Sequence, residues 1–364
     1  MKRVRVSIAA AIAAAILLAA ACSSGAKHTA PPSRPSSTIR PHITTVVLLT
    51  HSSFAASPAV LADFTAQTGY KVKLVQPGDA GVMVNEAILR KDHPVADALF
   101  GVDNTFLTRA LDAGIFDPYV APGLATVPAA QRVDAQHRVT PIDESDVCVD
   151  YDRSWFGHGG RPPAPRSLAD LIDPRYKDLT VVENASTSSP GLVFLLATIA
   201  AKGENGWTAY WSALRHNGVS VDDDWTAAYE TDFTAGDGNG DRPIVVSYGS
   251  DPAADVVGSR PHRDTPRVGV VPSTCFRQME FAGVLHGAHN VAGAEALVDF
   301  MLSRRFQEDM PLQMYVNPIA SGAKVPAVFS KWAVVPAHPL SMDPATIAAK
   351  RNDWIKEWTD LVVR

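Results

Sequence analysis

The chain has 364 residues, with 33 lysines and arginines against 38 aspartates and glutamates, a net charge of −5. So mild an acidity argues against a basic nucleic-acid-binding face, and a hydrophobic content of 46% excludes a wholly disordered chain. From about Ile43 onward the sequence is too long for one ordinary core of about 150 residues, which predicts two lobes.

Lys2, Arg3 and Arg5 precede the apolar run "SIAAAIAAAILLAAA", which stops at Cys22. This is the pattern of a secretory signal peptide over residues 1–22. The run falls short of the ~20 apolar residues a membrane-spanning helix needs. Its junction, "LAAACSSG", resembles a bacterial lipoprotein signal, although Ala19 stands where leucine is usual. That resemblance implies lipidation of Cys22 and attachment to the extracytoplasmic face of the membrane. Residues 23–42 are rich in serine and proline and poor in large apolar side chains, so they form a disordered tether.

The folded part begins with "ITTVVLL", a β-branched apolar run that predicts a buried parallel strand. A helix follows in "SPAVLADFTAQTG", with Ser57 as N-cap, Pro58 at its first position and Gly69 as its stop. Strands in "YKVKLVQ" and "ADALFGV" alternate with helices in "GVMVNEAILRK" and "NTFLTRALDAG". Such alternation means a parallel α/β sheet. Ligands of these sheets gather where strand ends lead into helices, here the loops "THSSFAAS", "QPGDAG" and "GVDNT".

A second α/β set follows Asp150: the strand "LTVVEN", helices in "SSPGLVFLLATIAAKG" and "GWTAYWSALRHNG", and the strand "PIVVSYG". The helical pattern then returns in "VAGAEALVDFMLSRRFQEDM" and "PATIAAKRNDWIKEWTDLVV". Lobe 1 is assigned residues 43–147 and 279–364, and lobe 2 residues 148–278. Extended segments around 147–152 and 275–284 connect them. With Cys22 consumed by lipid, two cysteines remain in an oxidising compartment, either as separate buried thiols or as a pair. If the connecting segments lie side by side, Cys148 and Cys275 form a disulfide across the hinge, which requires Cα atoms within about 7 Å.

Between the second helix pair and the strand "PIVVSYG" lies "VDDDWTAAYE". Two readings stay open for it. Asp222, Asp223 and Asp224 are either the acidic start of a helix whose Trp225 and Tyr229 face the core, or part of a cage for an organic cation. No catalytic constellation accompanies it: G-x-S-x-G, G-x-x-x-x-G-K, H-E-x-x-H and C-x-x-C are all absent. "GHGG" at 157–160 lacks a nucleophile elbow, and a metal site at His286 and His289 would require further ligands from the fold. "DGNGDRP" mimics a calcium loop through Asp237, Asn239 and Asp241, but Arg242 replaces the required glycine and Tyr248 the closing glutamate. The sequence therefore predicts no enzyme, no cofactor and no metal site.

In their order and spacing, "THSSFAAS", "ADALFGVDNTFLTRALDAGIF", "STSSPGLVFLL", "VDDDWTAAYE", "VVSYGSDPA" and "AAKRNDWIKEW" resemble the thiamine-binding proteins of bacterial ABC importers. The resemblance runs from about residue 44 to the C-terminus. It implies an α/β fold, the two-lobed type II periplasmic binding-protein clamshell with two hinge-crossing strands. It further implies a monomer that passes thiamine, or a cationic relative, to a permease and its ATPase. Carried over by position, Trp225 is the stacking platform and Tyr248 a pocket tyrosine, with Tyr229 nearby. Asp79 and Ala80, the latter in place of a glycine, match the loop that receives the aminopyrimidine. Asp103 and Asn104 match the neighbouring turn. Ser188 and Ser189 match the helix N-terminus that receives the ligand's hydroxyl or phosphate. His51, next to Ser52, replaces a tyrosine at the first strand end, and Ala254 and Asn317 replace two further aromatic residues. The aspartate run is expected to favour a cation over phosphate if it reaches the cleft. A ferric-ion binder or a ligand sensor of the same fold is the alternative.

Overall fold

The computed structural model describes residues 44–236 and 240–364. The expected signal peptide with Cys22, the expected tether, and Asp237 and Asn239 of the calcium-like turn lie outside these residues.

In chain order the elements are β1 (Thr44–Leu49), α1 (Pro58–Thr68), β2 (Tyr70–Val75), α2 (Ala80–Leu89), β3 (Ala98–Asp103), α3 (Leu107–Asp112), β4 (Phe116–Asp117) and β5 (Thr140–Asp152). Then come α4 (Leu168–Leu171), β6 (Thr180–Glu183), α5 (Ser189–Lys202), α6 (Trp207–His216), β7 (Ser220–Asp222), β8 (Ile244–Tyr248), α7 (Asp251–Gly258) and β9 (Val268–Leu285). The chain ends with α8 (Val291–Met301), α9 (Arg304–Gln307), α10 (Met310–Gln313), β10 (Asn317–Pro318), α11 (Ala327–Trp332) and α12 (Pro344–Trp358).

The signals at α1 act as expected. Ser57 Oγ accepts from Val60 N at 3.3 Å, and Gly69 takes φ 79°, a left-handed conformation that glycine tolerates without cost. The helical pattern expected within residues 291–310 is divided among separate helices. Ser303 breaks it, because its hydroxyl accepts from Phe306 N and starts a new cap. After the acidic run the chain forms a π-helical turn, Thr226–Asp232.

One continuous sheet has the order β2-β1-β3-β9-β5-β8-β6-β7, with β4 added to β9 and β10 to β5. Its two outer halves, β2-β1-β3 and β8-β6-β7, are parallel within themselves. The long strands β5 and β9 run antiparallel through the middle, from Thr140 opposite Ala282 to Asp152 opposite Val268. These are the two crossing strands: β5 begins earlier than the sequence suggested, at Thr140, and β9 runs past the expected 275–284 at both ends. Their register shifts between Val147 and Val149, and there a disulfide joins Cys148 to Cys275, with Cα atoms 4.1 Å apart.

Apolar faces bury the sheet on both sides. One large cluster links Met83 and Phe106 with Leu192, Trp211 and Trp358; a second packs Phe64, Phe300 and Phe306 over β1 and β3. The closing helix α12 is anchored edge-to-face by Trp358 on Trp211, ring centroids 5.5 Å apart. Among the described residues, no helix is long and apolar enough to cross a membrane.

Candidate functional site

The parallel strands of both halves end facing the middle of the sheet, where β1 delivers His51 and β8 delivers Tyr248. There a cleft is lined by His51, Ser53, Asp79, Ala80, Ser189, Pro190, Trp225, Tyr248, Gln278 and Glu280. Its free volume is about 30 Å3, room for a water or two and far below that of a drug-sized ligand.

Asp79 is the N-cap residue of α2, yet its carboxylate does not bond its own helix. It reaches across the cleft to accept from Trp225 N at 3.2 Å. Burial pushes the Asp79 carboxyl above its usual range, while Ser188 and His51 pull it back down. Beside it, Gly81 N donates to Thr187 O at 3.0 Å, so the start of α2 touches the approach to α5 directly. A third bridge runs from Ser189 Oγ to the buried Asp103 carboxylate, which also accepts from Thr105.

Trp225 forms the aromatic wall. Tyr229 stacks behind it at 4.9 Å and 11°, and Tyr248 leans toward it at 6.4 Å. The indole Nε1 donates to Ser247 Oγ at 2.9 Å, which fixes the plane of the ring. The two readings of this stretch divide along its length. Trp225 faces the cleft, whereas Tyr229 packs toward the small core of Phe233 and Val245. Asp224 is an ordinary cap, accepting from Ala227 N at 2.9 Å, and none of Asp222–Asp224 lines the cleft.

Opposite stands a negative wall. His51 Nε2 lies 3.3 Å from Glu280 Oε1, with side chains only 12% and 9% exposed. Glu280 sits on β9 in register with Asp103 of β3 on one side and Asp143 of β5 on the other. Asp143 is fully buried, and neither of its oxygens accepts an N–H. Burial and the facing Glu280 hold its carboxyl well above the usual range, which favours the neutral form.

Of the residues named from the sequence, the cleft brings together His51, Asp79, Ala80, Ser189, Trp225 and Tyr248. Ser53 rather than Ser52 lines it. Ser188 and Asp103 are buried behind it, and Asn104 is a clamp, accepting from Met279 N and donating to Arg277 O. Ala254 lies in α7 and Asn317 in β10, both outside the lining. Sequence reasoning missed Gln278 and Glu280.

This geometry can be set beside known proteins. Residues 93–333 match the model of the bacterial extracellular solute-binding protein family. The chain belongs to that family. This solute-binding protein is 29% identical over 324 residues to the thiamine-binding periplasmic protein of Salmonella typhimurium, covering 88% of this chain and 94% of the relative. A solved periplasmic thiamin binding protein superposes with a TM-score of 0.77 at 26% identity, covering 88% of this chain and 96% of that one. Iron uptake protein A1 of Synechocystis is 23% identical over 326 residues, 80% of this chain and 82% of its own. Among the described residues of the solute-binding protein, no three His, Cys, Asp or Glu side chains converge as a metal site.

Proposed function

We propose that the protein captures thiamine, or a close cationic relative, outside the cytoplasmic membrane and hands it to an ABC permease driven by a cytoplasmic ATPase. The observation that carries this reading is the pairing of Trp225 with buried carboxylates across a narrow cleft. An aromatic face and a desolvated carboxylate both attract a flat cation, and each aromatic contact adds about 1 kcal/mol or more. Asp79 is suited to accept the N–H groups of an aminopyrimidine. The relatives that bear thiamine in their names support the choice of ligand.

The unphosphorylated vitamin is the preferred form in this reading. The N-terminus of α5 is a natural anion site, but the Ser189 hydroxyl there already donates to Asp103. Asp79 and Glu280 would repel a phosphate brought alongside.

A cleft this narrow loads only if its walls part. The reading therefore includes two lobes, residues 43–147 with 279–364 and residues 148–278, that open about β5 and β9 and close on ligand. It also includes a monomer held at the membrane through Cys22.

The test is isothermal titration of protein refolded to remove bound ligand, with thiamine, thiamine monophosphate and thiamine pyrophosphate. Submicromolar thiamine binding, weakening with each phosphate, is expected. Trp225→Ala should lose tenfold or more in affinity, and equal affinity would remove Trp225 from the site. The iron reading fits Synechocystis relatives of the fold, but Tyr248 is flanked by Ser247 and Gly249 rather than by a second tyrosine. Iron in the purified protein, with no thiamine heat, would reverse the choice. Loss of labelled-thiamine uptake on gene deletion separates an importer from a sensor.

A further inference from the structure

The cleft lining holds no lysine or arginine, so His51 is the one side chain in it that can carry positive charge. It faces Glu280 at 3.3 Å from the end of β1. We propose that His51 is a resident counter-ion which the ligand displaces: its imidazolium neutralises Glu280 until an organic cation arrives, whereupon the Nε2–H proton passes to solvent. This rests on the reading of the cleft as a cation site. One charge enters as one proton leaves, so the negative wall stays neutralised throughout and the buried Glu280 is never left alone.

Every element packed around the imidazole bears on its charge. Glu280 faces it from β9, Asp79 from the start of α2 and Asp103 from the end of β3, while Phe100 supplies an apolar contact at 5.9 Å. Asp143 and Glu144 of β5 and Tyr248 of β8 lie around Glu280 in turn. Burial lowers the basicity of His51, but the surrounding acids outweigh it and leave the ring above its ordinary 6.5. At pH 6 the ring is therefore charged in the ligand-free protein. A cation placed on Glu280 both removes that partner and repels the imidazolium, which favours the neutral form.

The sign of the linkage follows. The free protein holds a proton that the complex lacks, so affinity for a cation falls as pH drops below the raised His51 value. The limiting slope is about tenfold per pH unit, and affinity is flat above that value.

The experiment is titration with thiamine at pH 6 in phosphate and in MES and at pH 8 in phosphate and in Tris, pairs whose different ionisation heats count the protons released. 3-Deazathiamine, the neutral thiophene isostere, serves as control because it shares the aminopyrimidine. Wild type is expected to release about one proton per thiamine at pH 6 and none with the isostere. His51→Gln should release none and should bind thiamine equally at the two pH values. Thiamine binding by wild type without proton release at pH 6 would overturn the proposal and leave the cation reading standing. So would undiminished release from His51→Gln, which would move the proton to Asp143 or Glu280. Absence of thiamine binding at either pH would remove the cation reading and this proposal together.

Discussion

Two groups of acids lie at or near this cleft, and they differ in how the chain brings them there. Asp222, Asp223 and Asp224 are consecutive in sequence and sit at the end of β7 and the start of the π-helical turn, where Asp223 is exposed and Asp224 is a cap. Asp79, Asp143 and Glu280 come from three distant segments: Asp79 and Glu280 line the cleft, and Asp143 stands beside Glu280 because β9 runs next to β5 in the middle of the sheet. Charge at the rim is screened by water and salt, whereas charge on the cleft wall acts through a low dielectric. The field a ligand meets is thus set by a few scattered residues, not by the run that is conspicuous in the sequence.

The largest consequence of that contrast is for stability. Asp143, Asp150 and Glu183 are fully buried and held well above the usual carboxylate range, by burial first and by neighbouring acids second. A carboxyl raised in the folded state stabilises most at low pH, and that contribution drains away as pH rises toward the folded value. Each neutral acid therefore contributes a slope of about 1.4 kcal/mol per pH unit above its ordinary pKa. Denaturant unfolding should show a more stable protein at pH 5 than at pH 8, and Asp143→Asn should flatten the slope by about one group's share. A stability that rises with pH over this range would show that these acids are ionised and paired.

Next in size is the cleft wall itself. Glu280→Gln keeps the shape but removes the charge, and should weaken thiamine binding by about 2 kcal/mol, roughly thirtyfold, by titration. The neutral isostere should lose less than twofold. Equal losses for both ligands would mean that Glu280 shapes the cleft without selecting charge.

The substitution Gly81→Ala probes closure with a smaller effect. A Cβ there would lie 2.6 Å from Thr187 O and 3.1 Å from the Phe106 ring. In the open form the alanine should instead favour α2 by up to about 1 kcal/mol. Affinity for thiamine should fall about tenfold, while the melting temperature of the ligand-free protein holds or rises. A fall in both would place the clash in the core and not at the moving contact.

How much of this was legible in the sequence follows from the range of each interaction. The strand and helix alternation through β3 and the cap and stop of α1 were readable, because local periodicity and turn chemistry carry them, whereas the crossing strands were expected only on the condition that two extended segments lie side by side. The resemblance, not the neighbouring residues, pointed Trp225 toward the ligand, and the structure puts it on the cleft wall. Glu280 was not legible: within the extended segment expected around 275–284, nothing marks it as a cleft residue. Only the register of β9 between Asp103 and Asp143 brings it inside, and register across three distant strands leaves no local trace.

The smallest effect is the sharpest test of the comparison. Asp222 is pushed up to about 6, by burial first and then by Asp232 and Asp224, so near neutral pH it is already partly uncharged. Asp224 acts on Asp79 only at a distance, among weaker influences than burial and Ser188. Replacing Asp222 and Asp223 with asparagine, while leaving the Asp224 cap in place, should therefore change thiamine affinity less than twofold at physiological salt. The ratio of thiamine to thiamine monophosphate binding should move equally little. A tenfold change in that ratio, vanishing at high salt, would show that the rim carries the selectivity assigned here to Asp79 and Glu280.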